Sequence, residues 1–211
     1  TSPSSQDVVD SCYDSPSFPD SPFCELFTRN ADQSSPQFQG FNFLRLQELN
    51  IGALESAGID IAARYGFSVS DFDIDLGVSG TRVRRLDSFF DPANRNVVDP
   101  ELGELQRPKW AGNINGSVAY GVFSLNWQTQ YLGKQALRSV EIETANEIFG
   151  PAGIQGNTFI HDLSFSVDVH ESVRVYGGVN NISDKQPFIT EQAFPISGVG
   201  RSFFLGVSGQ F

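Results

Sequence analysis

Several residues in this chain have types and spacings that chemistry can use. Asp73 and Asp75 stand two apart, which puts both carboxylates on one face of a strand and within reach of a calcium ion. Asp162 and Asp168 lie between His161 and His170, and together the four offer metal ligands or an acid–base pair. None of these groups sits in a motif that completes the chemistry. There is no HExxH, GxSxG or GxxxxGKS. By strand parity His161 falls on the apolar side of its segment, and His170 lies beside a turn. Two Cys and two His are too few and too scattered for a structural zinc site. Cys12 and Cys24 form no CxxC, which argues against thiol redox chemistry; they suit a disulfide that staples a loop, worth about 3 kcal/mol by the chain-entropy model. Such a bridge implies an oxidising compartment. The reading is therefore no catalytic residue, no metal, no cofactor and no enzyme.

Composition narrows the classes further. The 211 residues carry 25 acids and 14 bases, a net charge of -11. Nucleic acid is excluded as a partner, because its recognition needs clustered Lys and Arg. No stretch is long and apolar enough for a transmembrane helix. Charged residues make up 18%, low for a soluble domain, while 20 Gly and 19 Phe are many for this length. The absence of methionine is read as the mark of a processed chain or a piece of a longer one.

The elements that must position these residues divide the chain in two. Residues 1–40 read as a Ser-, Pro- and Asp-rich loop, broken by Pro3, Pro16, Pro19, Pro22 and Pro36 and stapled by Cys12 and Cys24. From residue 41 to 211 the pattern alternates with a period of two, hence strands. Phe203, Leu205, Val207 and Phe211 oppose Ser202, Phe204, Gly206 and Ser208. Val173, Val175 and Val179 oppose Arg174 and Asn180. Comparable alternation spans 159–170, 123–131, 110–120 and 72–81, and residues 41–66 read as one long strand with bulges at Gly52 and Gly58. That makes about seven strands. Short links near 67–71, 121 and 171–172 alternate with long ones over 84–108, 133–156 and 182–199. The long links hold Phe89, Phe90, Arg95, Arg138, Phe149, Phe188 and Phe194, the aromatic and basic groups of a binding loop or of loops packing on one another.

A soluble β-sandwich alternates in the same way, so the solvent of each face decides the class. Here one face carries Asp60, Arg64, Asp73, Asp75, Asp162, Asp168 and Arg174 with Asn, Gln and Ser between them. Aromatics gather at strand ends: Phe72, Trp110, Tyr120, Phe123, Tyr131, Phe159 and Phe211. Strands of about 10 residues with turns on one side and long loops on the other match transmembrane β-barrels, whose lumen is polar and whose outside is apolar. In lipid a sheet must close, and bacterial barrels have even strand numbers. An odd set of strands therefore reads as the C-terminal part of a larger barrel. The polar set then lines the lumen, as plug contacts, ligand path or plain solvated wall.

The last forty residues carry a family resemblance. Val179-Asn180-Asn181-Ile182-Ser183-Asp184-Lys185, then Gly200-Arg201-Ser202-Phe203-Phe204-Leu205-Gly206-Val207 and a terminal Phe211, resemble the end of TonB-dependent outer-membrane receptors. Asn50-Ile51-Gly52, Gly58-Ile59-Asp60 and Tyr65 are similar to the family too, as is the Cys12/Cys24 loop. Pro187-Phe188 departs from the pattern, in which an aromatic follows the Asp-Lys turn directly. The resemblance implies an all-β, antiparallel transmembrane barrel of roughly 22 strands with a plugged lumen, of which this chain supplies about the last third. It implies uptake of a scarce ligand such as a siderophore or carbohydrate, driven through TonB by the inner-membrane proton-motive force. It implies an N-terminal plug and the remaining strands on a separate chain, outer-membrane lipid, and a barrel-assembly machinery that reads Phe203, Leu205, Val207 and Phe211. The location implied is the outer membrane of a Gram-negative bacterium, with the 1–40 loop extracellular; the ligand-binding residues are not legible. The competing expectations are a soluble all-β carbohydrate-binding or structural module, which needs no detergent, and a small self-contained barrel acting as an adhesin.

Overall fold

The computed structural model describes residues 5–46, 53–89, 95–96, 98–190, 194–196 and 198–209. The chain forms two units, one of residues 1–55 with 86–100 and one of residues 56–85 with 101–211.

In the first unit, α1 (Ser5–Tyr13) buries Val8 and Cys12, one helical turn apart on a single face. Gln6 Nε2 donates to Asp10 at 2.6 Å along the exposed side. A 3-10 turn (Pro22–Leu26) follows, capped by Ser21, whose Oγ accepts from the Phe23 amide. The Cys12–Cys24 disulfide joins helix to turn with Cα atoms 4.8 Å apart. The short strands β1 (Phe27–Arg29) and β2 (Phe41–Leu44) pair antiparallel. Val8, Cys12, Phe23, Leu26 and Phe27 form the unit's small core. The expected loop over 1–40 is thus part helix and part strand. The stretch between Pro3 and Pro16 contains no proline, and Val8 and Cys12 have helical spacing; the prolines on either side hid both signals.

The second unit is dominated by one antiparallel sheet. Its strands are β3 (Ala53–Val69), β4 (Phe72–Phe89), β6 (Trp110–Tyr120), β7 (Phe123–Leu132), β10 (Thr158–His170), β11 (Val173–Asn180) and β12 (Ser202–Gly209). Strand order is β12-β11-β10-β7-β6-β4-β3. A two-residue β5 (Asp99–Pro100) pairs with β4 at Asp87 and Ser88. The link over 133–156 holds β8 (Gln135–Ala136), α2 (Ile142–Phe149) and β9 (Ile154–Gln155), where only loop was expected. The hairpins turn at 70–71, 121–122 and 171–172; Ser70 and Gly121 adopt φ of 54° and 55°, the left-handed conformation that such tight turns demand. Residues 41–66, expected as one strand, form β2 and most of β3; Asn50, Ile51 and Gly52 lie outside the described residues, as do Phe90 and Phe211.

The sheet keeps its parity from strand to strand. One row runs Leu76, Gly116, Trp127, Leu163, Val179, Phe203; the adjacent row runs Asp75, Ser117, Asn126, Ser164, Gly178, Phe204. A register slip of one residue would mix the two faces, and none occurs along β6–β7 or β7–β10. The architecture is all-β, and the sheet does not close: β12 and β3 end the strand order among the described residues.

Among the described residues of this unit, no second layer covers either face. Leu205 is 76% exposed and Phe203 74%, and Ile61, Tyr65, Leu76, Ile114, Phe123 and Leu125 are exposed as well. Fully burying one such side chain is worth about 1.5–3 kcal/mol, which this sheet leaves ungained in water. Buried residues in this unit lie toward the long links: Leu132, Ala136, Ala145, Ile160 and Phe188.

Candidate functional site

The polar face brings together each of the charged residues singled out from the sequence, and each has a partner. Arg64 Nε donates to both carboxylate oxygens of Asp75, at 2.9 and 2.8 Å. Thr81 Oγ1 donates to Asp60 at 2.6 Å, and Ser68 Oγ donates to Asp73 at 2.6 Å. Asp168 and Arg174 stand opposite each other across β10 and β11 and form a two-pronged pair, at 2.5 and 2.9 Å. Asp162 accepts the backbone amide of Asn181 at 2.7 Å. Asp73 and Asp75 are therefore spoken for separately, and no cluster of three or more metal-ligating side chains occurs among the described residues. The chemistry on offer is that of a polar, self-neutralised surface. A groove of about 510 Å³ lies on it, lined in part by Arg64, Asp75, Asn115, Gln128 and Asp162.

The terminal motif residues converge although almost twenty positions separate their two halves. Asn181, at φ 53°, closes its own turn: its side chain donates to the Lys185 carbonyl at 2.9 Å and accepts the Lys185 amide at 2.8 Å. Asp184 Oδ1 accepts the Arg201 amide at 2.9 Å. Gly200 sits at φ 70°, and a Cβ there would lie 2.8 Å from the same Asp184 oxygen. Asn180 Nδ2 reaches Ser202 Oγ at 3.4 Å. The motif is thus a clasp that holds the start of β12 against the end of β11.

Beyond the clasp, β11 and β12 interlock through aromatics laid over glycines. A Cβ at Gly206 would collide with the Tyr176 ring, and one at Gly178 would lie 2.7 Å from the Phe204 ring. Nothing in the sequence beyond its Gly content signals this pairing, because the partners lie on different strands.

The apolar face carries aromatic rows at two levels. Phe72 stacks on Tyr120 at 4.7 Å, beside Phe123 in register. At the other level Tyr131 meets Phe159 at 5.0 Å, and Trp110 lies next to it under Arg82. From Phe123 to Tyr131 the strand advances roughly 26 Å. His161, expected on this face, is there. Its Nδ1 shares a hydrogen bond with Thr129 Oγ1 at 2.9 Å, and Thr129 also accepts from Trp127 Nε1 at 2.9 Å. His170 ends β10, its Nδ1 accepting the Ser172 amide at 3.3 Å across the turn. The two histidines are far apart in register and form no joint site.

The long links fold over the loop end of the sheet. Leu105 and Ala136 amides donate to the Arg138 and Gly103 carbonyls, knitting residues 101–107 to 135–138. Arg107 pairs with Glu101 at 3.1 Å and Glu104 at 2.8 Å, and Arg138 lies over Phe149 at 5.0 Å. A hollow of about 520 Å³ is bounded by Leu105, Arg107, Leu137, Arg138 and Ile189. Behind it Gln135 is fully buried; its carbonyl oxygen accepts the Gln106 amide at 2.7 Å, while its Nε2 has no partner. Of the other loop residues singled out, Phe188 packs edge-on against Phe194 at 5.5 Å. In the first unit Arg95 lies over Phe89 and pairs with Glu55.

No family model matches the chain, and no curated protein sequence matches it. Among solved structures it is similar to mutants of the ferric enterobactin receptor of Pseudomonas aeruginosa. One shows a TM-score of 0.38 at 12% identity, covering 74% of this chain and 31% of the receptor. A second, in complex with enterobactin, shows 0.38 at 12%, covering 74% and 32%. The likeness is distant, and the chain spans about a third of the length of those receptors.

Proposed function

We propose that the sheet is part of the wall of a transmembrane β-barrel, and that the chain is the C-terminal portion of a TonB-dependent outer-membrane receptor. The observation that carries the membrane reading is the uncovered apolar face, bounded at two levels by aromatics and backed by a polar face with no second layer. Hydrocarbon supplies the cover that the protein lacks, and aromatic rows belong at the two interfaces. The receptor reading is supported by the terminal residues: Asn181, Asp184, Gly200 and Arg201 match the family's ending and do structural work together. On this reading the polar residues line the lumen. The missing strands and the plug, on the same receptor or a separate chain, close the sheet and fill it. A scarce ligand enters at the loop end, drawn in through TonB. Phe203, Leu205, Val207 and Phe211 serve the barrel-assembly machinery. No catalytic role is assigned to any residue.

The chain's two tryptophans test this directly. In vesicles of phosphatidylcholine brominated deep in the acyl chain, Trp127 fluorescence should be quenched most. With bromine near the headgroup, Trp110 should respond more. Absence of quenching at both depths, with a protein that stays monodisperse without detergent, would replace the wall by a soluble β-module. Intact mass in detergent then reports whether a larger polypeptide accompanies the chain one to one.

A further inference from the structure

In the groove on the polar face the charged groups are paired and the neutral ones are not. Arg64 is committed to Asp75, and Asp162 to the Asn181 amide. The side-chain amides of Asn115, Asn126 and Gln128 line the same groove and make no hydrogen bond among the described residues. Register brings the three together. Asn115 stands opposite Gln128 across β6 and β7, and Asn126 lies two residues from Gln128, hence on the same face. On its other side Asn115 faces Gly77, which puts no side chain into the groove. Asn126 shares a row with Ser164, Gly178 and Phe204. Phe204 is an apolar ring on the polar face. It lies over Gly178, lines the groove and stays 39% exposed. From Gly178, beneath the ring, to Asn126 is two strand spacings, about 10 Å, with the Ser164 side chain between them.

We propose that this groove binds a neutral oligosaccharide. As the substrate of transport, the sugar rests on the receptor reading above. Sugar hydroxyls donate and accept at once, which is what open Asn and Gln amides require of a partner. A sugar ring also presents a C–H face, weakly positive, to the negative face of an aromatic ring. Phe204 supplies that face, and Asn126, Gln128 and Asn115 supply hydrogen bonds at a distance that more than one sugar unit spans. An anionic ligand gains little here, because Asp75 already neutralises Arg64. A peptide segment would match the amides alone; the exposed ring beside them favours the sugar.

The test is calorimetric titration of the protein in detergent, together with any polypeptide that accompanies it. The neutral probes are maltohexaose, cellohexaose, xylohexaose and chitohexaose, and the anionic probe is a ferric tris-catecholate. At least one neutral sugar should bind, and the catecholate should not compete. Asn126→Ala and Gln128→Ala should each weaken that sugar about three- to tenfold. Phe204→Leu keeps apolar bulk over Gly178 but removes the ring face, and should weaken it about tenfold, whereas Phe204→Tyr should keep it. Asp75→Asn bares the Arg64 charge and should raise affinity for hexagalacturonate about fivefold. The proposal is overturned by no binding of any neutral probe, by sugar affinity unchanged in Gln128→Ala and Phe204→Leu, or by catecholate binding that those variants abolish. Release of the accompanying polypeptide by Gln128→Ala, with sugar affinity untouched, gives the groove to protein and overturns it as well. Deep-bromine quenching of Trp127 without sugar binding removes the site and leaves the wall. Sugar binding that the variants weaken, in a protein showing no quenching, keeps the site and removes the transport role.

Discussion

Placing an arginine on the apolar face at two depths distinguishes a sheet in lipid from a sheet in water by the order of the effects. Leu76 lies in the row with Gly116, Trp127 and Leu163, midway between the two aromatic levels. Phe72 lies in the lower aromatic row and stacks on Tyr120 at 4.7 Å. Their exposures in the isolated sheet are close, 49% for Leu76 and 44% for Phe72. In water, Phe72→Arg is the costlier change, because it loses more apolar contact and an aromatic pair worth about 0.5–1.5 kcal/mol. In a bilayer the order reverses. Arginine at the midplane of a barrel's lipid face costs about 2–4 kcal/mol, and near the interface about 0–1 kcal/mol. Leu76→Arg should therefore exceed Phe72→Arg by on the order of 1–2 kcal/mol once the lost stack is allowed for. The assay is urea titration of both variants folded into phosphatidylcholine vesicles, read by tryptophan fluorescence and by heat-sensitive mobility in detergent gels. If Phe72→Arg is the more damaging, or the two agree within about 0.5 kcal/mol, the face does not see hydrocarbon and the reasoning fails.

Gly206→Val should weaken the terminal hairpin by about 1–3 kcal/mol, because the new side chain enters the space of the Tyr176 ring; Tyr176→Ala in the same chain should recover much of that loss, and a double-mutant cycle without coupling would refute the interlock. Reducing or replacing the Cys12–Cys24 bridge should cost the first unit about 3 kcal/mol, seen as faster proteolysis within 5–46 and no change in the β6–β7 strands by hydrogen exchange. In the same unit Ser34 donates to Asp32 through its hydroxyl, at 2.7 Å, and its amide, at 2.9 Å, and these bonds hold the Asp32 carboxyl below the ordinary Asp range. A depressed carboxylate stabilises above its unfolded-state pKa and loses that contribution as pH falls through the folded value. Acid should accordingly loosen the 30–40 turn, and Asp32→Asn should remove the pH response of its amide exchange.

Much of this arrangement was legible because a strand's side-chain period is two. Asp73, Asp75, Asn126, Asp162 and Arg174 declare one face, and Ile74, Leu125, Leu163 and Val175 the other, before any pairing is known. The turns at Gly121 and 171–172 were marked by local chemistry. Less visible were elements whose evidence is spread over a few residues among loop formers: α1 between prolines, α2 inside a Gly- and Asn-bearing link, and β8 and β9, two residues each. Contacts between strands were the least accessible. The Asp184 bond to the Arg201 amide, the Tyr176 ring over Gly206 and the buried Gln135 amide depend on register and loop path, which periodicity does not carry.

The polar groups also divide along the strand axis. Along the polar face, Asp60, Asp73, Asp75 and Asp168 are each satisfied by a neighbour on an adjacent strand, and Asp162 by the amide just past the end of β11. A solute passing such a surface meets groups already paired, and exposed pairs of this kind add little to stability, about 0–1 kcal/mol each. Their charges serve hydration of the face more than capture. At the loop end the accounting changes: Gln135 keeps an amide without an acceptor, a deficit of about 1–3 kcal/mol, behind a hollow edged by Arg107 and Arg138. Arg82, over the Trp110 ring, and Arg84 are exposed on the other face at the adjoining level. Among the described residues of this unit, the unpartnered Gln135 amide and these exposed arginines thus lie toward the long links. The carboxylates of the polar face are paired along its length, and the buried group without a partner sits at the long links, where a further hydrogen-bond acceptor would be gained rather than exchanged.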